Sequence, residues 1–247
     1  MLAFKDAARK VVKRRRVQEI RPLDQQGDPA LRKQIDAFGE WFHNFDLNGT
    51  PTKLRSIVGE PLDYRRPGWE QIFRPVLPNV SGKRVLDIGC NAGYYAVECR
   101  RLGAASVLGI DVSQGGSWDF IGQAKFAAAQ LGIDGIEYRA QDFMDLPDEQ
   151  FDVVLFIGVM YHLDDPIAGL KKVASLAKEA IVLETRSVPD RRMILEHQVG
   201  GWDGDDTSPW APSPALVDAM LRAEGFGRLV RPKAVTRQRY AVVASRG

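Results

Sequence analysis

From residue 84 onward, short and nearly unbroken apolar runs alternate with stretches whose apolar positions recur every three or four residues. Arg84–Ile88 (RVLDI), Ser106–Asp111 (SVLGID), Gly135–Arg139, Phe151–Ile157 (FDVVLFI) and Ala180–Glu184 (AIVLE) predict five strands buried on both faces. Between them, Gly93–Leu102, Trp118–Leu131 and Pro166–Lys178 predict helices, the last with Leu170, Val173, Ala174 and Ala177 on one face. Strands and helices in this order predict an α/β fold, a mostly parallel sheet covered on both sides. At the end of the chain, Pro214–Glu224 predicts an amphipathic helix closed by Gly225. Phe226–Arg231 and Arg239–Ala244 come next as a hairpin-like antiparallel pair.

Before residue 80 this rhythm is missing. A helical stretch near Ala30–Glu40 leads into the aromatic-rich WFHNFDLNGTPTK, and Pro61, Pro67, Gly68, Pro75 and Pro78 punctuate the segment after it. Residues 1–80 are therefore expected to form a helical cap that covers a substrate, on a main domain of residues 81–247. Between Lys5 and Arg21 the chain carries Arg9, Lys10, Lys13, Arg14, Arg15, Arg16 and Arg21 against Asp6 and Glu19. A solvated helix face docked on the main domain is the preferred reading; contact with RNA phosphates or an anionic surface is the alternative. The net charge of +2 gives the whole chain no strong pull toward nucleic acid. Two cysteines, Cys90 and Cys99, make no disulfide framework, and no apolar run reaches the roughly 18 residues of a membrane span. With no secretory signal at the N-terminus, a reducing, cytoplasmic setting is expected.

The chemistry concentrates in VLDIGCNAGYY. Asp87 ends a strand, and Gly89 and Gly93 bracket a tight turn into a helix, where absent side chains let a ligand approach the backbone. Asn91 stands where another glycine would serve, a residue that tolerates left-handed geometry. The helix N-terminus is expected to favour a ligand carboxylate, and Asp87 to accept from a cationic group. Asp111 ends the next strand about twenty residues past the loop, placed for ribose hydroxyls. Asp142, in AQDFMDL after the third strand, is placed for an adenine amino group. Helix N-capping explains Asp111 and Asp142 one at a time. It does not explain carboxylates at successive strand ends along one edge.

DIGCNAG, GID, QDF and FDVVLFIGVMYHLDDP together resemble the class I S-adenosylmethionine-dependent methyltransferases, over roughly Arg84 to the C-terminus. GVMYHLDDP, VLET and PSPALVDAMLRAEGF are similar to the tRNA wobble-uridine carboxymethyltransferases and their shorter relatives. The resemblance implies a Rossmann-like sheet with a terminal antiparallel strand. It also implies S-adenosylmethionine, or its carboxylated form, held by Asp87, Gly89, Cys90, Asn91, Gly93, Asp111, Val112, Asp142, Phe143 and Gly158. The carboxylate-binding lysines of the tRNA enzymes have no counterpart in GEPLDYRRPGWEQ, where Arg65 or Arg66 stands as a substitute. An NAD-dependent dehydrogenase would instead show GxGxxG after its first strand.

Methyl transfer is an in-line displacement at a sulfonium, and an alcohol acceptor must also lose a proton. His162 is the first candidate for proton acceptor, Tyr161 for positioning the nucleophile, and His43 in the cap is the second base candidate. Glu184 and Arg186 end the fifth strand at the same edge. The loop WDGDDTSPW brings Trp202, Asp203, Asp205, Asp206 and Trp210 nearby. Those carboxylates could hold Mg²⁺, but a solvated acidic lid is preferred, and no metal ligands are assigned. The expected acceptor is a small molecule, a sugar or aromatic hydroxyl. A tRNA wobble uridine is the alternative, and a non-catalytic cofactor-binding module the second alternative.

Overall fold

The computed structural model describes residues 27–52, 69–112, 119–202, 204–232 and 238–247. The basic stretch before Arg21, Arg65, Arg66, Trp118 and Asp203 lie outside the described residues.

Seven strands form the central sheet: β3 (Arg84–Ile88), β4 (Ser106–Asp111), β5 (Ile136–Ala140), β6 (Phe151–Ile157), β7 (Ala177–Arg186), β10 (Arg228–Val230) and β11 (Arg239–Ser245). Their spatial order is β10-β11-β7-β6-β3-β4-β5. The five strands β7-β6-β3-β4-β5 are mutually parallel, whereas β11 runs antiparallel to β7 and β10 antiparallel to β11. The order reverses between β3 and β6, so the carboxyl ends of these strands open a crevice, the usual ligand position in such sheets.

Side chains alternate along each strand, and the core divides accordingly. Val85, Val107, Val153, Leu155 and Val182 face one side, where helices α2 (Tyr94–Arg101) and α3 (Phe120–Gln130) pack. Leu86, Ile88, Val154, Phe156 and Leu183 face the other, under α4 (Pro166–Leu176) and α5 (Pro214–Ala223). Asp165 caps α4 and Ser213 caps α5, each accepting backbone N–H bonds of the first turn, and a proline follows each cap.

One pair of boundaries differs from expectation for a physical reason. Helix α4 ends at Leu176 and Ala177 is already extended, because it pairs with Phe151 across a register shift in β6. Strand β7 thereby reaches ten residues, sandwiched between β6 and β11, so the apolar face of Ala177 belongs to the sheet.

The N-terminal segment is less helical than expected among the described residues. It has α1 (Pro29–Ala37), a two-residue antiparallel pair β1 (Asp46–Leu47) and β2 (Thr50–Pro51), and one π-helical turn at Trp69–Phe73. Between β7 and α5, β8 (Leu195–His197) and β9 (Trp210–Pro212) form another small antiparallel pair. Leu31, Ile35, Trp41, Phe45, Trp69 and Phe73 join one apolar cluster with Tyr94, Tyr95 and Val97 of α2. The cap therefore shares its core with the sheet domain along the helix that leaves the glycine loop.

Candidate active site

Asp87, Asp111 and Asp142 stand at the carboxyl edge. Asp87 shares the Val85 face beneath α2 and is only 1% exposed, with Oδ2 buried and no hydrogen-bond partner in the structure. Burial, with the negative charge of Asp111 adding, pushes its pKa up to about 8, against the opposing Ala96 backbone N–H. Asp111 is pushed up to about 6 by burial, and its Oδ2 accepts the Asn91 N–H at 2.8 Å, which opposes the shift. Asp111 is thus a clasp on the glycine loop, not a helix cap. Asp142 does cap a 3-10 turn (Phe143–Asp145), accepting the Met144 N–H at 2.9 Å. The Gln141 N–H bonds the Asp111 carbonyl at 3.0 Å, which sets the two strand exits side by side. Val112 and Met144, each the neighbour of one of these acids or close to it, are exposed by 51% and 44%. Exposed apolar side chains beside carboxylates suit a nucleoside, whose base needs apolar faces and whose ribose needs acceptors.

The glycine loop needs its backbone freedom. Gly89 and Gly93 have φ of 68° and 82°, and Asn91 has 51°. A Cβ at Gly89 would lie 2.4 Å from Val159 Cγ2, and one at Gly93 would lie 2.4 Å from the Tyr138 hydroxyl oxygen. Tyr138 in turn donates to the Gly93 carbonyl at 3.3 Å. It is a buttress that the sequence pattern did not single out, because an aromatic in a strand reads only as core. Cys90 is buried, and burial raises its thiol pKa well above the ordinary value, so it is an inert wall of the loop.

The loop amides differ from expectation. Backbone N–H groups from Gly89 through Tyr94 all donate within the protein: to the Ile110 carbonyl twice, to Asp111, to Asn91 Oδ1, to the Cys90 carbonyl and to His43 Nδ1. None of these six N–H groups is left over for a ligand carboxylate. His43 is explained by the same bond. It is 2% exposed among Phe42, Phe45, Tyr94 and Tyr95, and its Nδ1 accepts the Tyr94 N–H at 3.3 Å. A neutral His43 must then carry its proton on Nε2, which leaves no lone pair for a substrate proton. His43 acts as a cap on the N-terminus of α2.

His162 has the opposite arrangement. Its Nδ1 lies 2.6 Å from the Thr207 carbonyl oxygen, which can only accept, so Nδ1 carries the proton and Nε2 keeps the lone pair. Burial lowers its pKa below the ordinary value, with Arg239 and Arg186 adding, against the Thr207 bond and the charge of Asp205. The ring lies 4.2 Å, centroid to centroid, from Tyr161. Gly158, at φ 75°, donates its N–H to the Glu184 carbonyl at 2.9 Å. A Cβ there would lie 3.6 Å from the Tyr161 hydroxyl and 3.9 Å from Glu184 Oε2, so these two groups converge above the β6 exit.

Antiparallel pairing of β11 with β7 sets Arg239 directly opposite Arg186. The Arg239 and Arg186 guanidinium carbons lie 4.8 and 5.8 Å from the Tyr161 ring centroid, and Glu184 Oε1 is 3.5 Å from Arg239. Like charges directly across a pair are unfavourable, and the Glu184 carboxylate beside Arg239 offsets part of that cost. Arg239 was not legible as a site residue, since only the pairing register brings it to the edge.

A family model described as a methyltransferase domain matches residues 62–226. Among curated proteins, a tRNA U34 carboxymethyltransferase of Campylobacter lari is 35% identical over 127 residues, 50% of this chain and 42% of that protein. One of Pseudomonas aeruginosa is 33% identical over 171 residues, 64% of this chain and 48% of its own length. The chain thus spans less than half the length of these two relatives. Among solved structures, the N-terminal domain of EvdMO1, in the presence of SAH and D-fucose, is similar with a TM-score of 0.66 and 20% identity. That match covers 88% of this chain and 96% of the other. Magnesium protoporphyrin IX methyltransferase from Synechocystis with bound SAM matches with a TM-score of 0.52 at 22% identity, over 68% and 72% of the two chains. At such identities these likenesses speak for the fold.

Proposed function

The chain belongs to the methyltransferase-domain family, with a class I S-adenosylmethionine-dependent fold, and on that premise we propose that it transfers a cofactor-borne carbon group to an oxygen nucleophile deprotonated by His162. The single observation that carries this reading is the 2.6 Å contact between His162 Nδ1 and the Thr207 carbonyl oxygen. With Nδ1–H held by the Thr207 carbonyl, Nε2 is the acceptor that an alcohol or enol needs. Tyr161, Glu184, Arg186 and Arg239 surround the β6 exit as groups that orient the acceptor and the transferred carbon. S-adenosylmethionine supplies an activated one-carbon group when bound. Asp87, Asp111, Asp142, Gly89, Gly93 and Gly158 are the residues that would hold it, and the unpartnered buried oxygen of Asp87 fits a cationic ligand.

For the acceptor, the relatives' names move the reading from the small-molecule hydroxyl expected from sequence to the wobble uridine of a tRNA. The carboxymethyl transfer in the relatives' names favours a carboxylate on the transferred group, as in the carboxylated cofactor. The test supplies purified protein with either cofactor and tRNA whose wobble uridine bears a free hydroxyl on the base, and reads the wobble nucleoside by mass spectrometry. Transfer of a carboxymethyl group at that uridine is the expected result. Transfer only to hydroxyl compounds of a metabolite extract would restore the small-molecule acceptor. Cofactor binding without transfer to either would leave a binding module.

Asp111→Ala should weaken cofactor binding by about 1.5–3 kcal/mol in calorimetry, through lost ribose hydrogen bonds. Unchanged affinity would confine Asp111 to clasping Asn91. Affinity for the cationic cofactor should also rise with pH. Between pH 6 and pH 8, Asp87 is protonated in the free protein, and a bound cation favours its ionised form. Binding therefore releases a proton, strengthening up to about tenfold per pH unit and levelling off above pH 8. Calorimetry at pH 7 in two buffers of different ionisation heat measures that proton, and a flat affinity from pH 6 to pH 8 would contradict it.

A further inference from the structure

Beyond the β6 exit, Asp205–Ser208 forms a turn that meets the catalytic histidine through Thr207. It is tightly pinned. The Ser208 N–H and hydroxyl both donate to the Asp205 carbonyl at 3.1 Å, and the Asp205 N–H donates to the Trp202 carbonyl at 3.0 Å. Gly201, at φ 74°, lets the Asp205 carbonyl come so close that a Cβ there would meet it at 1.7 Å. Within this turn Asp205 Oδ1 accepts both the Thr207 N–H at 3.1 Å and the Thr207 hydroxyl at 2.6 Å. The hydroxyl proton is thereby committed to the carboxylate. A lone pair of the same oxygen then faces His162 Nδ1 at 3.2 Å, beside the carbonyl oxygen at 2.6 Å.

We propose that Asp205 is a positioning residue that secures the reactive tautomer of His162 by fixing the Thr207 hydroxyl as a second acceptor for Nδ1–H, beside the Thr207 carbonyl. The inference rests on His162 as the proton acceptor. It adds how a histidine without a carboxylate bonded to it is held with Nε2 open. Two acceptors against Nδ1 disfavour the tautomer that would place a lone pair there, because lone pairs would then oppose lone pairs. When Nε2 takes the acceptor's proton, the imidazolium keeps the same Nδ1–H bonds, and the nearby Asp205 charge favours the cation. Among the described residues, the charged groups that face His162 are Asp205 from this turn, Arg186 from β7 and Arg239 from β11. The arginines act against the cation and Asp205 acts for it, so Asp205 offsets part of their effect.

The experiment uses the full chain with ¹⁵N-labelled histidine. The sequence has only three histidines, and His43→Gln and His197→Gln variants assign the remaining signal. Expected is a neutral His162 protonated on Nδ1, with Asp205→Ala and Thr207→Val each shifting population toward Nε2–H. In activity, Asp205→Ala should lower the plateau of kcat at least about tenfold. The loss should stay below the ~10⁴-fold seen where a carboxylate holds the imidazole directly, since the Thr207 carbonyl remains. Its acid limb should move to lower pH, because removing a negative charge lowers the His162 pKa, whereas a merely loosened turn would lower the plateau without moving the limb. The double variant should lose no more than the worse single one, as expected for one device. A neutral His162 protonated on Nε2 in the unaltered protein would overturn the inference. So would an Asp205→Ala profile with tautomer and acid limb unchanged. If the tautomer responds as expected while His162→Ala retains full turnover, the fault lies instead in assigning His162 as the base.

Discussion

Alanine at His162 should lower kcat by about a hundred- to ten-thousandfold at saturating cofactor, with cofactor affinity nearly unchanged. The side chain stands past the β6 exit with Nε2 open and Nδ1–H anchored, the state a general base needs before it meets its proton. Activity requires the neutral ring, so it should fall as pH drops through the His162 pKa. Burial and the two arginines lower that pKa, which places the acid limb below the ordinary histidine value. His43→Ala separates this reading from the one with a base in the cap. It removes the acceptor of the Tyr94 N–H from a fully packed aromatic cluster, so it should cost about 2–4 kcal/mol of stability. At a temperature where the variant stays folded, its kcat should remain close to that of the unaltered protein. A large kcat loss at His43 beside a small one at His162 would reverse the two roles.

Elements whose residues are decided locally were legible in the sequence. Arg84–Ile88, Ser106–Asp111 and Phe151–Ile157 begin and end where the apolar runs do, because a central strand buried on both faces is written in mostly apolar residues. The loop glycines were legible for a related reason: positive φ at Gly89 and Gly93 leaves few other residues to choose. The antiparallel pair at the chain end was visible as two apolar runs, but its meaning was not. Only the register of β11 on β7 places Arg239 against Arg186 and over Tyr161, and register is a long-range property that the composition of neither strand records. The same holds for Thr207. Its contribution is a backbone carbonyl, which every residue owns, aimed by a turn that Gly201 and Asp205 close. His43 and His162 look alike as lone histidines beside aromatics. What separates them is whether Nδ1 meets an N–H or a carbonyl, and that is settled by tertiary packing.

Alanine at Gly93 should destabilise the protein by about 2–5 kcal/mol, read from the denaturant midpoint, and weaken cofactor binding in the fraction that stays folded. Two costs combine. At φ 82° an L-residue is strained by about 1–2 kcal/mol, and the new Cβ would meet the Tyr138 hydroxyl oxygen at 2.4 Å, its Cζ at 2.8 Å and Ala124 Cβ at 3.0 Å. Overpacking of this kind costs about 1–3 kcal/mol. Gly132→Ala isolates the first cost, since Gly132 has φ 62° and nothing within 4 Å of the added Cβ. It should lose about 1 kcal/mol, partly offset by the stiffer unfolded chain. Tyr138→Phe removes the nearest clashing atom together with a hydrogen bond to the Gly93 carbonyl. The double variant Gly93→Ala/Tyr138→Phe should therefore be less destabilised than the sum of its singles. Cofactor binding enters because the loop cannot shift alone. Asn91, two residues earlier, donates to Asp111, so moving Gly93 away from Tyr138 pulls on the carboxylate assigned to the ribose. If Gly93→Ala cost no more than Gly132→Ala, the loop would not be wedged between Tyr138 and α3, and the cofactor would need another cradle.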